Sequence, residues 1–259
     1  MSWWVKTLKK ILDEGTPLSP RGKNTLDLPQ HTVVMEMRRP VLINKARALS
    51  YKFMAAEAFW ILSGDDTVTG ITPWNARIAE FSDDGKTFFG AYGPKIAGQL
   101  DYVVRKLNED PSSRQAGLTI WRENPPQTKD MPCTVAIFAR IIGSELNLHV
   151  FMRSSDAWLG LPYDTFNFSM LACLICCRLN ADRADPIEPG RLFLTAASSH
   201  LYEEHFEKAR AIVADTVMVM PPPSIPRTLF LDKDALMTSL RVLRETVPGD
   251  SQRWWERAA

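Results

Sequence analysis

The stretch "ELNLHVFMRSSDAWLGLPYDTFNFSMLACLICCRLN", residues 145–180, decides the fold because it joins a strand to a buried helix through a polar turn. Alternating apolar residues predict a strand over 145–153. Apolar residues on every side predict a helix over 164–180 that is buried rather than on the surface. The turn between them contains Gly160 and Pro162, and Asp164 lies at the entrance of the apolar run, where a carboxylate needs a physical reason.

The segments around this stretch predict an α+β fold. A strand over 134–142 is separated from the strand at 145–153 by "GS", which is typical of a hairpin. Helices and strands follow one another without a regular βαβ alternation, so the whole chain, residues 1–259, is expected to form one α+β domain. The other predicted strands are 31–37, 116–121 and 191–198, and the other predicted helices are 2–14, 46–63, 95–109 and 201–214.

Composition excludes several classes of protein. The chain has 259 residues, of which 45% are hydrophobic and 24% charged, as in an ordinary soluble globular protein. With 31 Lys and Arg against 30 Asp and Glu, the net charge of +1 gives no overall field that recruits nucleic acid or a membrane, so no direct DNA binding is expected. No apolar run reaches about 18 residues, which predicts no membrane span. The amphipathic start lacks a signal-peptide cleavage site.

The four cysteines and four histidines are the candidates for reactive or metal-binding residues. A chain of this length does not use four cysteines as a disulfide framework, which indicates a reduced, cytoplasmic protein. Cys173, Cys176 and Cys177 share the apolar helix and are expected to pack in the core. Cys133 follows a proline and is either a small buried side chain or a nucleophile whose thiolate is stabilised by a cation such as Arg153. The histidines lack ligand spacing, so no metal site is predicted.

Two further polar positions need an explanation. Glu57 lies in "FMAAEAFWIL", where apolar residues surround it, and a buried carboxylate must be paired, protonated or used. Arg153 and Ser154 follow the strand at 145–153. They form either an anion site, since a guanidinium binds phosphate in a fork, or an ordinary surface ion pair.

The segment "SSHLY" carries hydrogen-bonding side chains at a predicted strand-to-helix junction. His200 and Tyr202 are a pair suited to holding a sugar hydroxyl. Alternatively, Ser198 or Ser199 caps the helix that follows.

Seven motifs follow one another along the chain: "ILDEGTPLSPRG", "AAEAFWILSGD", "FGAYGPK", "DPSSRQ", "MPC", "MRSSDAWLGLPYD" and "SSHLYEEH". The order of these seven motifs is far more specific than any one of them. From about residue 8 to residue 214 it resembles the thymidylate synthase family. Within the family, the chain is most similar in type to the deoxycytidylate hydroxymethylases that bacteriophages use to make modified DNA bases.

The resemblance implies a covalent mechanism. Cys133 matches the cysteine whose thiolate adds to C6 of the pyrimidine, after which C5 takes a one-carbon unit from 5,10-methylenetetrahydrofolate. Glu57 matches the glutamate that organises the water network for proton transfer, and Tyr92 matches a tyrosine near the reacting base. The resemblance implies that three residues contact the folate: Trp74, Asp156 and Gly160.

The resemblance also implies how a pyrimidine deoxynucleoside monophosphate is held. Its phosphate contacts Arg21, Arg153 and Ser154, and Arg114 reaches across from a second subunit. The family fold is a mixed sheet with surrounding helices, and an obligate homodimer packs two such sheets face to face. The residues that match the pair at the sugar 3′-hydroxyl are His200 and Tyr202.

Several positions depart from the family pattern. Gln115 stands where a second consecutive arginine is usual, which weakens or replaces one phosphate contact, and Phe138 stands where a glutamine is usual. The stretch "TAASS" before His200 lacks the usual glycines and aspartate. The end of the chain, residues 247–259, does not resemble the tail that closes over folate.

Two more departures concern the base. Asp164 stands where thymidylate synthase has an asparagine, and Thr134 stands where it has a histidine directly after the cysteine. An amide pairs with uracil O4 and N3–H, whereas a carboxylate accepts from the cytosine amino group and stabilises protonation at N3. A carboxylate that faces uracil O4 would pair acceptor with acceptor and weaken binding by about 1–3 kcal/mol or more. The alternative is that Asp164 is only the N-cap of a helix over 165–180.

The resemblance therefore implies C5 hydroxymethylation of dCMP, with C5 methylation of dCMP or dUMP as the alternative. A catalytically silent nucleotide-binding relative is a second class, which the set Glu57, Tyr92, Cys133, Arg153 and His200 disfavours. A hydrolase that uses Cys133 and His200 is a third class, but it explains neither Glu57 nor Asp164.

Overall fold

The structure is a computed structural model that describes residues 2–215 and 222–246. The chain end that departs from the family tail, residues 247–259, lies outside the described residues. The helices are α1 Trp3–Glu14, α2 Tyr51–Leu62, α3 Gly93–Glu109, α4 Leu161–Leu179, α5 Phe206–Ala214, α6 Thr228–Leu231 and α7 Lys233–Glu245. The strands are β1 Thr16–Leu18, β2 Thr25–Glu36, β3 Gly117–Thr119, β4 Thr134–Ile142, β5 Glu145–Met152, β6 Ser155–Asp156 and β7 Glu188–Tyr202.

All these strands form one seven-stranded mixed sheet with helices around it, which confirms the predicted fold class. The order is β1-β2-β7-β5-β4-β3, with β6 beside β7. β7 runs parallel to β5 and β6, whereas the other pairs are antiparallel. β4 and β5 form the predicted hairpin, closed where Ile142 lies opposite Glu145.

Helix α4 passes through the core. All but three of its residues are buried, which explains why its sequence is apolar on every side. Cys173, Cys176 and Cys177 are buried free thiols, so core packing is confirmed for these three. The helix begins at Leu161 with Gly160 as its N-cap residue. Asp164 therefore lies inside the first turn, and the hypothesis that it is the N-cap is wrong.

One face of the sheet is covered and the other is exposed. Val33, Val150 and Leu194 are buried on the covered face. On the opposite face, Val34, Phe193, His149 and Phe138 lie side by side in register across four strands. Val34 is 45% exposed and Phe138 40%. Apolar side chains contiguous across an open sheet face are typical of an interface.

Several predicted boundaries were wrong. The helix predicted over 46–63 begins only at Tyr51, after Ser50, whose hydroxyl accepts a hydrogen bond from the Phe53 backbone N–H. The helix predicted over 201–214 begins only at Phe206, because β7 continues to Tyr202. Ser198 and Ser199 lie within that strand, so neither caps a helix. Helix α7 was not predicted.

Among the described residues, every helix is too short or too polar to cross a lipid bilayer.

Candidate active site

A cleft of about 590 Å³ brings together five of the residues implied for the nucleotide: Arg21, Arg153, Ser154, His200 and Tyr202. The other lining residues are Leu18, Pro20, Asp27, Trp121, Thr128, Lys129, Met131 and Ser198.

The strand geometry explains why these side chains meet. Side chains of a strand alternate between its two faces, so Ser198, His200 and Tyr202 of β7 point to the same side. Asp27 of β2 is the register partner of His200 and joins them in the cleft. Arg21 completes the wall from a turn with φ of 55°, a left-handed conformation that is uncommon for arginine.

Arg153 connects the cleft to the loop before β4. Its Nε donates to the Pro132 carbonyl at 3.0 Å and its Nη2 to the Met131 carbonyl at 2.8 Å. Its backbone N–H donates to the Cys133 carbonyl at 2.8 Å. The guanidinium is therefore held beside the cysteine, and its remaining N–H groups can reach an anion in the cleft.

Cys133 is half-buried at the start of β4. Burial raises the pKa of its thiol, and the Arg153 guanidinium acts in the opposite direction. The carboxylates of Asp164, Asp130 and Asp156 raise the pKa further. Arg153 thus acts on the thiol in the predicted direction but does not outweigh burial and the carboxylates. A thiol with a raised pKa must lose its proton before it can act as a nucleophile.

Tyr92 lies close to Cys133. Its hydroxyl oxygen accepts a hydrogen bond from the backbone N–H of Thr134, the residue after Cys133, at 3.1 Å. Burial raises the pKa of Tyr92, and the nearby charges of Asp164 and Cys133 add to this effect. Tyr92 therefore remains a neutral phenol and keeps a proton to donate.

Glu57 is explained by pairing and by a raised pKa. Asn167 Nδ2 donates to Glu57 Oε2 at 2.7 Å, which connects α2 to α4. Burial raises the pKa of Glu57 to about 7, although the Asn167 hydrogen bond opposes this effect. At neutral pH both protonation states are populated, as suits a group that passes protons.

Asp164 also has a raised pKa. Burial raises its pKa well above the usual range, and the charges of Glu57 and Asp156 contribute in the same direction. A Cβ added at Gly160 would lie 3.3 Å from Asp164 Oδ2, so the glycine leaves room for this carboxyl group. Asp156 Oδ1 accepts from the backbone N–H groups of Trp158 and Leu159, both at 2.8 Å, and so fixes the turn before α4.

Two of the sequence-predicted residues lie apart from this cluster. Trp74 Nε1 donates to the Arg244 carbonyl at 2.9 Å, and the Arg244 guanidinium lies 4.6 Å from the Trp74 ring. Arg114 is exposed in a separate surface pocket of about 500 Å³ that shares no lining residue with the cleft. One chain therefore does not bring Arg114 to its own cleft.

Asn167, Asp27 and Lys129 belong to the site but were not predicted from the sequence. Asn167 lies three positions after Asp164 on α4, and this helical spacing is a signal that was present in the sequence. Asp27 and Lys129 line the cleft from β2 and from the loop before β4. Nothing in their local sequence marks them, because only the sheet register and the loop path bring them to the cleft.

Comparisons with known proteins identify the family of this chain. The chain is 27% identical over 228 residues to the deoxyuridylate hydroxymethyltransferase of Bacillus phage SP01. That alignment covers 78% of this chain and 57% of the phage protein, so the chain spans little more than half the length of this relative. The model of the family described as thymidylate synthase matches residues 2–236. This chain therefore belongs to the thymidylate synthase family.

Proposed function

We propose that this chain transfers a hydroxymethyl group to C5 of dCMP with 5,10-methylenetetrahydrofolate as the one-carbon donor, for the synthesis of modified DNA in a phage-infected cytoplasm. The observation that most supports the proposal is the grouping of Cys133 with Asp164, a half-buried carboxyl group with a raised pKa that does not cap its helix. Such a carboxyl group without a capping role needs another use, and recognition of a base edge supplies one.

The chemistry proposed for the chain's own residues begins at Cys133. Its sulfur forms a bond to C6 of the base, and the electrons of the C5–C6 double bond move toward N3 and the group at C4. Asp164, whose pKa is raised, gives its proton to N3 and accepts from the amino group at C4. The proton that the Cys133 thiol releases as the S–C6 bond forms passes to the Asp164 carboxylate, so the net transfer is from sulfur to N3. C5 is then nucleophilic. Glu57 and Tyr92 are proposed to pass protons and to orient the base.

The folate cofactor supplies the one-carbon unit when it is bound. Asp156 suits its pterin, because Asp156 Oδ2 has no hydrogen-bond partner within residues 2–215 and 222–246 and can accept from N–H groups. Gly160 fits a close approach beside Asp164. Trp74 fits less directly, since the Arg244 guanidinium already contacts its ring.

We further propose a homodimer whose exposed sheet faces pack together. Val34, Phe138 and Phe151 are between 40% and 46% exposed on that face, which favours burial against a second copy. The position of Arg114, outside its own chain's cleft, supports a role for Arg114 in the partner's cleft.

Mixing two inactive variants tests this arrangement. Arg114→Ala lacks the donated arginine and Cys133→Ser lacks the nucleophile, and each homodimer is expected to be inactive. After subunit exchange, each heterodimer has one site with both residues, so kcat should recover to about half the wild-type value per heterodimer. Exchange is checked by native mass spectrometry. A mixture that exchanges but stays inactive would contradict the shared site.

A second candidate is hydroxymethylation of dUMP, which the name of the phage SP01 relative favours. The raised pKa of Asp164 makes this candidate chemically reasonable, because a neutral carboxylic acid donates to uracil O4 and accepts from N3–H. C5 methylation of dCMP or dUMP uses the same residues and differs in whether water or hydride reaches the new carbon.

Product analysis separates these candidates. The protein is incubated with dCMP, dUMP or CMP plus 5,10-methylenetetrahydrofolate, and the products are identified by mass. We expect 5-hydroxymethyl-dCMP as the main product. A hydroxymethyl product from dUMP alone would favour the second candidate, and a methyl product would contradict hydroxymethylation. Covalent trapping by a 5-fluoropyrimidine nucleotide only when folate is present excludes both a silent relative and a hydrolase.

A further inference from the structure

The cleft carries more positive charge than the predicted residues account for. Among the described residues, Arg21, Arg153 and Lys129 line it, against one carboxylate, Asp27. Asp27 accepts a hydrogen bond from the Ser198 hydroxyl, so this carboxylate already has a partner in the cleft wall. Lys129 belongs to the loop that leads into Cys133 and lines the same cleft as Arg153.

The backbone at Lys129 is fixed from two sides. Asp83 accepts hydrogen bonds from the Thr128 hydroxyl and from the Lys129 backbone N–H, the latter at 3.0 Å. Asp130 Oδ2 accepts from the Gly90 backbone N–H at 2.7 Å. These contacts fix the backbone on both sides of Lys129, so its side chain starts from a fixed position at the rim of the cleft.

Arg153 alone cannot satisfy a phosphate monoester. Two of its N–H donors are already used by the carbonyls of Pro132 and Met131. A phosphate monoester carries a charge approaching −2 and three terminal acceptor oxygens. Donors beyond Arg153 are therefore needed, and Lys129 is a cationic residue that lines the same cleft from a loop with a fixed backbone.

We propose that Lys129 is a phosphate ligand of the cleft in its own chain, where it joins Arg21, Arg153 and Ser154 beside the arginine proposed to come from a second copy. This inference rests on the proposed function, because the phosphate is that of the nucleotide. It goes beyond that function in assigning a phosphate contact to the loop before Cys133.

Binding measurements on matched variants test the inference. Lys129→Met removes the ammonium, Lys129→Arg keeps a cation, and Lys86→Met removes the same charge from an exposed site that does not line the cleft. The probes are dCMP, dUMP, 2-deoxyribose 5-phosphate and the uncharged nucleoside deoxycytidine. Dissociation constants are measured by calorimetry at low and at physiological salt, and circular dichroism checks that each variant is folded.

We expect Lys129→Met to raise the Kd of both nucleotides and of 2-deoxyribose 5-phosphate about tenfold, with a smaller salt dependence, since a hydrogen bond to a charged group is lost. The Kd of deoxycytidine should change less than about twofold, as should every Kd in Lys86→Met. Lys129→Arg should restore most of the affinity.

Different results would contradict the assignment of Lys129 and the proposed function. If Lys129→Met binds both nucleotides as tightly as the wild type does, the assignment of Lys129 is wrong while the proposed function stands. If the wild type binds 2-deoxyribose 5-phosphate in a manner dependent on Lys129, but gives no product from any nucleotide, the phosphate site stands and the proposed function is wrong. An equal loss of affinity for deoxycytidine, or an equal effect in Lys86→Met, would also overturn the assignment.

Discussion

Replacing Cys133 with serine is expected to lower kcat by about 10⁴-fold or more while leaving the Kd of the nucleotide within about threefold of the wild-type value. The serine hydroxyl is far less acidic than a thiol and is a poor nucleophile without an adjacent base. Nucleotide affinity should persist because the residues proposed to hold phosphate and sugar, such as Arg153 and His200, line the cleft independently of the sulfur.

Single-turnover kinetics and calorimetry measure the two quantities separately, and Cys177→Ser is the matched control. Cys177 is also a free thiol, and its Sγ contacts the Leu229 carbonyl at 3.5 Å, a bond that a serine hydroxyl can replace. This variant should keep its kcat and lose only stability. A Cys133→Ser enzyme with near-normal turnover would contradict covalent catalysis.

Much of the fold could be predicted because its strongest elements carry local signals. The hairpin β4–β5 alternates in hydrophobicity and turns through two small residues, and α4 is apolar for longer than a strand can be. For α4 the predicted start was late. Gly160 and Pro162 were interpreted as a turn before the helix, although proline is well tolerated in a first helical turn.

The wrong boundaries show where long-range contacts override local preference. Ser198 and Ser199 suit a helix cap, but strand β7 continues through both residues to Tyr202 because it pairs with β2 and β6. Those ladder hydrogen bonds come from segments distant in sequence. The cap preference is a local effect of about 1 kcal/mol, which they outweigh.

The site was predictable to a similar extent. The order of the motifs identified Arg21, Arg153 and His200, and the structure places all three in one cleft. Lys129 and Asp27 were missed because their roles depend on which loop and which strand become neighbours, and a single sequence does not contain that information. The Glu57–Asn167 bond likewise depends on the packing of α2 against α4.

Asp164 is the residue from which the strongest change in specificity is expected. Its raised pKa means that it is neutral below that pKa and ionised above it. The neutral acid can match either base, by donating to cytosine N3 or to uracil O4. The ionised form repels uracil O4, so kcat/KM for dUMP should fall as the pH rises through the pKa of Asp164. An asparagine amide can also turn to match either edge, but it has no acidic proton to give to N3 when Cys133 attacks cytosine.

Asp164→Asn should therefore lower kcat/KM for dCMP by about 10²-fold or more and raise it for dUMP, with Thr134 limiting the gain. The measurement is kcat/KM for both nucleotides between pH 6 and pH 9, in wild type and variant. The pH dependence of dUMP turnover that arises from Asp164 should disappear in the variant.

Thermal unfolding is the control. A carboxyl group whose folded pKa is raised lowers stability as pH rises above its unfolded pKa of about 3.9, so the variant should unfold no earlier than the wild type at pH 8. An equal fall in both activities would show that Asp164 does not read the base. A wild type that prefers dUMP would show that the cytosine hypothesis is wrong and would favour the activity named for the phage SP01 relative.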